Sequence, residues 1–233
     1  MKQLTQILFV SLLFSLSLSA QEKPLHFGLH ISPNYIFASI IDEGGVDQSV
    51  VDLIRESNTG KIGFTTQLFV DYTFSEYSRI KLSGGYQSSG LRTTELTFTD
   101  ENGNPLPDIS TGSIIDNLHQ LIYSLSWRQY LTRRFYFESG VSGIWLLSSN
   151  SILKTRRPNG SINIIEIVNG PVGTTFQPFT LAIDFAIGID IIKRDDFSLF
   201  VQPQMQYQLH KAFNEGPVNR RLWSIGLTSG VRL

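Results

Sequence analysis

Four histidines, His26, His30, His119 and His210, are the side chains best suited to exchange protons near neutral pH. To act as a general base, one of them needs a carboxylate or a nucleophile within hydrogen-bonding reach. Asp116 lies close to His119 in sequence and Glu215 close to His210, so these two are the candidate bases. No G-x-S-x-G or related nucleophile motif accompanies them. Polar interior or loop histidines are the simpler interpretation. His26 and His30 stand at i and i+4, a spacing that shares a metal ion on a helix. On an extended strand they are about 13 Å apart and cannot share one. The sequence therefore predicts no catalytic residue, no metal ligand set and no cofactor.

A second group of polar residues is larger and more regular. Asp71, Lys81, Arg128, Glu138, Asp184, Asp190 and Arg232 each fall on the polar parity of a segment whose other parity is apolar. Four acids and three bases placed this way predict cross-strand ion pairs in a closed interior, because an unpaired buried charge is strongly unfavourable. A third group, Lys154, Arg156 and Arg157, precedes Pro158-Asn159-Gly160. A basic cluster at a turn is either a solvated surface or a contact for anions such as lipopolysaccharide phosphate or an acidic partner.

The elements that must carry these residues alternate with period two. Residues 179–191 put Phe179, Leu181, Ile183, Phe185, Ile187, Ile189 and Ile191 on one side. Thr180, Ala182, Asp184, Ala186, Gly188 and Asp190 fall on the other. Such alternation specifies a β-strand with one apolar face. Seven further segments repeat it, at 25–37, 61–74, 79–88, 118–130, 135–147, 197–209 and 222–233. Connections around 75–78, 132–134 and 193–196 are short. Those at 40–60, 89–117, 148–177 and 210–221 are long and carry Gly, Pro, Asn and charge, as loops do. Strict alternation of short and long connections predicts an eight-stranded antiparallel up-and-down barrel with a short-turn rim and a long-loop rim.

Lipid and water make opposite demands on such a barrel. No charge falls mid-strand on the apolar parity, and an Arg or Lys facing hydrocarbon at the midplane costs about 2–4 kcal/mol. Aromatics cluster near strand ends. Phe74, Trp127, Phe135 and Phe197 lie toward the short turns, and Phe37, Phe64, Trp145, Phe179, Tyr207 and Trp223 toward the long loops. Two aromatic girdles mark a membrane barrel. A soluble carrier barrel would place the bulky parity inside, yet eight strands enclose room only for small side chains. The sequence thus predicts a transmembrane barrel with a filled polar lumen and no continuous pore.

Residues 1–20 read as a secretory signal peptide, with Lys2 ahead of an apolar run and Ser17, Ser19 and Ala20 before Gln21. Residues 21–233 form one barrel domain. There is no cysteine, and hence no disulfide framework or lipidated Cys. The formal net charge of −1 gives no electrostatic footprint for nucleic acid.

The leader ending in SAQ, the eight amphipathic strands and the closing strand LWSIGLTSGVRL resemble the small outer-membrane β-barrel domain family, including PorT-like proteins and barrels of the OmpA/OmpX type. The resemblance implies residence in the Gram-negative outer membrane, contact with its lipid, short turns in the periplasm, four extracellular loops, and a closing strand read by the barrel-insertion machinery. Some outer-membrane barrels are enzymes acting on lipid or peptide, and a narrow channel is a further alternative. A structural or adhesive role through the loops is expected ahead of both. Residues 46–54 and 161–168 are apolar enough to extend hairpins above the membrane, and exposed hairpin edges can accept a partner strand.

Overall fold

The computed structural model describes residues 25–42, 47–97, 111–157, 159–168, 176–194, 197–213 and 218–233. The expected leader at 1–20, Pro158 and Glu215 lie outside them. In chain order the elements are β1 (Leu25–Asp42), α1 (Gln48–Ser57), β2 (Asn58–Thr59), β3 (Lys61–Ser75), β4 (Ser78–Thr93), β5 (Leu96–Thr97), β6 (Thr111–Tyr130), β7 (Phe135–Arg156), β8 (Ile162–Val168), β9 (Phe179–Lys193), β10 (Ser198–Gln208) and β11 (Val218–Arg232).

Eight long strands form the ring. Each pairs antiparallel with the next, in the order β1, β3, β4, β6, β7, β9, β10, β11. β11 returns to β1 through a register that runs from Gly28 opposite Arg232 to Asp42 opposite Val218. A closed ring has no edge within its span, so backbone donors and acceptors there are satisfied inside the wall. The architecture is the eight-stranded antiparallel up-and-down barrel that the alternation specifies.

Side-chain placement on the wall is inverted relative to a water-soluble protein. Ile62 is 77% exposed, Leu68 67% and Ile187 66%, while Asp71, Arg128 and Asp190 are fully buried. An apolar belt on this scale far exceeds the patches that soluble monomers expose, and hydrocarbon is the medium it fits. Rings meet around the outside near the long-loop end. Phe37 stacks on Trp223 at 5.7 Å, Tyr207 meets Trp223 edge-on at 4.9 Å, and Trp145 lies 5.4 Å from Phe179. Near the short turns Trp127 meets Phe137 at 5.3 Å.

Above the belt the structure corrects two expectations. The apolar pattern at 46–54 predicts an extended hairpin, but Gln48–Ser57 is a helix. Asp47 caps it by accepting from the Ser49 backbone N–H, and Val51 turns inward with no exposure. The strands also outrun the expected limits, with β6 and β7 paired from Thr111 opposite Arg156 down to Tyr130 opposite Tyr136. A bulge between His119 and Gln120, opposite Leu146 to Ser148, shifts the phase of β7 by one residue. That shift hides the continuation from a period-two reading.

Candidate functional site: a closed lumen and a projecting hairpin

Inward residues of the ring stack in layers, and the layer nearest the short turns is ionic. Arg128, from β6, sends Nε and Nη2 to Glu138 Oε2 at 2.9 and 2.7 Å, and Nη1 to Asp71 at 3.2 Å. Lys81 pairs with the other Glu138 oxygen, which also accepts from Ser126 at 3.0 Å. Arg232, on the closing strand, donates Nε to Asp71 at 2.8 Å and holds Nη1 3.6 Å from Asp190. The Tyr130 hydroxyl donates to Asp190 at 2.9 Å and accepts from Arg232 at 3.1 Å. Six of the seven predicted luminal charges therefore meet in one network spanning β3, β4, β6, β7, β9 and β11.

Asp184 stands apart. It accepts from Ser142 and, at 2.8 Å, from Gln206, and forms no ion pair among the described residues.

The alternation identified the charges but not the rings that seal them in. Arg128 lies over Tyr136 at 4.4 Å and over Phe200 at 5.4 Å, and Arg232 faces the same Phe200 at 5.5 Å. Phe69 packs edge-on against Phe200 at 5.9 Å. All three rings sit on the polar parity, Phe69 between Gln67 and Asp71, Phe200 between Ser198 and Gln202, and Tyr136 two residues before Glu138. A large ring on an otherwise small or charged parity was the available signal. Guanidinium stacked on a ring keeps its charge while excluding water.

A second barrier closes the other end. Leu91, Leu118 and Leu222 turn inward near the long-loop rim. Phe176, Ala212 and Phe213 descend from the connections to pack against them. Phe176 and Phe213 are bridged through their backbones, with ring centroids 4.8 Å apart. Just above the belt Asp116 is buried, accepting from Ser151 at 2.5 Å. Lys61 donates to the Asp116 carbonyl at 3.0 Å and also bonds Asn117. Burial pushes the Asp116 carboxyl above its ordinary value, against the pull of the Ser151 hydrogen bond, Arg220 and Lys61. Burial likewise pushes Arg220 down.

His119 does not meet its candidate partner Asp116, and Glu215, the candidate partner of His210, lies outside the described residues. Asp116 points into the lumen. His119, three residues on, is on the outer face, stacked on and bonded to Tyr86. His210 is exposed and accepts from the Leu181 backbone N–H at 3.2 Å. His30 is buried in the lumen and bonded to Gln67 at 2.6 Å.

The basic cluster rides on the extension of β7. Lys154, Arg156 and Arg157 are exposed at the end of a hairpin whose return arm is β8. Asn159 Oδ1 accepts from the Ser161 N–H at 2.9 Å, and Gly160 takes φ +82°, which closes the turn. Lys154 lies opposite Ile164, and Arg156 opposite Ile162. β8 pairs with β7 alone, so its second edge is open among the described residues. Ile162, Ile164 and Ile165 are 65%, 61% and 46% exposed, so apolar side chains stand on both faces of that edge strand.

No protein-family model matches the chain, and no curated protein matches it either. Among solved structures it is similar to Ail, the attachment invasion locus protein of Yersinia pestis, crystallised with the heparin analogue sucrose octasulfate. Identity is 12%, covering 89% of this chain and 99% of that one, with a TM-score of 0.37. Neisserial surface protein A is similar at 12% identity over 89% and 96% of the two chains, TM-score 0.41. The outer membrane protease OmpT of Escherichia coli is similar at 9% identity over 93% and 99%, TM-score 0.45. At these values the neighbours carry no weight for activity, and the strand ring and its inverted wall define the class on their own.

Proposed function

We propose that this chain is a Gram-negative outer-membrane barrel that binds a protein partner through its long-loop rim, with residues 1–20 as a cleaved leader. The observation that carries this is the β7–β8 hairpin, which combines an open strand edge, exposed isoleucines and a basic tip. An added strand supplies backbone hydrogen bonds, and Lys154, Arg156 and Arg157 select acidic side chains on it.

Height favours a protein over lipopolysaccharide phosphate. Lys154 stands seven residues beyond Leu147, an exposed residue of the belt, with Ile152 on the outer face between them. At about 3.3 Å per residue and about 40° of tilt, that is roughly 18 Å above Leu147. The role is non-enzymatic, because His119 and Asp116 project to opposite faces of the wall. It is non-conducting, because two barriers close the lumen in series. The finer kinship, with PorT-like proteins, rests on the closing strand LWSIGLTSGVRL, which also offers the insertion machinery its strand.

The test is a photoreactive residue at Asn163, on the open strand, irradiated in cells. A single protein adduct that disappears when Lys154, Arg156 and Arg157 are changed together to Glu supports the proposal. Adducts to lipid alone, or a protein adduct indifferent to the charge reversal, would overturn it.

A further inference from the structure

The short-turn mouth of the lumen holds a cavity of about 40 Å³. Arg79 of β4, Lys193 of β9, Arg194 just beyond it and Arg232 of β11 line it, together with Ser198 and His26. No carboxylate side chain lines it among the described residues. Asp195 and Asp196, in the β9–β10 turn, lie outside them. The Leu233 backbone oxygen, also at this end, already accepts from the Phe27 N–H at 3.1 Å.

Positive charge and hydrogen-bond donors are both left over here. In the ionic layer Asp71, Glu138 and Asp190 are matched by Lys81, Arg128 and Arg232. Arg79, Lys193 and Arg194 form no ion pair among the described residues. Glu76, the other described acid at this rim, is exposed in the β3–β4 turn. Yet Arg79 and Lys193 lie on one ring, 5.1 and 4.9 Å from the Tyr130 centroid. Like charges held this close repel, the more so where little water screens them. Arg79 Nε and Nη1 and Arg232 Nη2 are buried without an acceptor among the described residues, and Arg232 as a whole is 3% exposed. Arg79 is only half-buried, so its guanidinium can turn toward the cavity. Lys193 uses one of its three N–H groups, on the Arg133 carbonyl at 3.0 Å. Buried donors without acceptors are costly, and an anion in the cavity answers both surpluses.

We propose that the short-turn mouth is a binding site for a phosphate group, carried by a free ion or by the head of a membrane lipid. The cations reach the cavity from three different strands. A carboxylate offers two oxygens in one plane, whereas a phosphate offers three or more in a tetrahedral array and carries about 1.5–2 charges. Ser198 adds a neutral donor: its Oγ accepts from Arg232 Nη1 at 3.2 Å, which leaves the hydroxyl proton for a phosphate oxygen. About 40 Å³ holds a group of a few heavy atoms. Both sources can reach it. The mouth opens away from the ionic layer, so a solute enters without crossing either barrier. Phe197 lies under Arg194 at 5.6 Å, in the aromatic row at this rim, so lipid headgroups are close by.

Equilibrium dialysis of the barrel in uncharged detergent micelles, with radiolabelled inorganic phosphate as the probe, tests this. Retention near one phosphate per barrel above the micelle background is expected, displaced by sulfate and not by acetate at the same concentration. Arg79→Gln and Lys193→Gln each remove a charge-assisted contact and are expected to weaken retention about tenfold. Changing Lys154, Arg156 and Arg157 together to Gln leaves it unchanged, which separates this site from the β7–β8 hairpin. Each variant is first shown to be folded by its heat-dependent gel shift. Phosphatidylcholine nanodiscs then distinguish the two sources. If adding phosphatidic acid lowers phosphate retention further than adding oleate does, the lipid headgroup occupies the site; if the two additions act alike, the free ion does. Retention at background, indifference to both rim variants, or equal displacement by acetate would overturn the proposal.

Discussion

Arg128 concentrates what the lumen asks of single residues. It is fully buried, pairs with two carboxylates and lies against two rings. Removing one partner of a buried ion pair costs about 3–5 kcal/mol, because the remaining charge is stranded. Arg128→Met leaves Glu138 paired with Lys81 and Asp71 with Arg232, so it should lower unfolding stability in detergent or lipid by about 3 kcal/mol, the lower end of that range, read from urea titrations. The double change with Glu138→Gln, which leaves Lys81 without its carboxylate, should cost less than the two single losses summed, and strict additivity would show that the two residues are not coupled. Asp116 supplies a pH dependence above the belt. Its folded carboxyl titrates higher than in the unfolded chain, so the folded state holds the proton more tightly. The resulting stabilisation is complete below the ordinary aspartate value and is lost as pH rises through the raised one. Between about pH 4 and about pH 7 the Asp116→Asn chain should lose less stability than the natural one. An equal or larger loss would mean that the carboxyl is not buried as described. The charges were legible in the sequence because each obeys the parity of its strand. The direction of His119 was legible too, being outward with Leu121 and Tyr123. Its contact with Tyr86 was not, since a cross-strand pair depends on register.

Strands were legible where one period ruled and illegible where it slipped. The outward row from Phe179 to Ile191 fixes β9 without ambiguity, because every large side chain falls on one face. β7 shows the opposite case. Past the bulge at Leu146 to Ser148 its phase reverses, and its upper half reads as loop although its ladder continues to Arg156. At 48–57 the apolar residues also follow a helical spacing, and the Asp47 cap tips the balance toward α1. The β7–β8 hairpin carries its own prediction. Gly160 is left-handed, and a side chain there would meet open space, so Gly160→Val adds backbone strain alone, about 1–2 kcal/mol. Amide exchange in β8 should quicken by roughly tenfold while exchange in β9 and β10 stays unchanged. Equal quickening in all three would mean that the hairpin is not an independent unit.

For the whole molecule the decisive property is closure, of the wall and of the lumen. The wall closes through β1 and β11, so a folded barrel resists cold detergent and shifts on a gel when boiled. Absence of that shift would contradict the ring itself. The lumen is closed twice, and barriers in series have a consequence that one barrier lacks. Ions crossing must pass the Arg128–Glu138 layer, where displacing a paired charge is costly, and then the Phe176–Phe213 plug, where there is nothing to replace their water. Opening either one leaves the other in place. In planar bilayers the natural chain should show no discrete conductance, and neither should Arg128→Ala with Glu138→Ala, nor Phe176→Ala with Phe213→Ala. Only the four changes together should produce resolved current steps. Steps in the natural chain would make it a channel, and steps in either pair alone would show that the other layer is no barrier to ions.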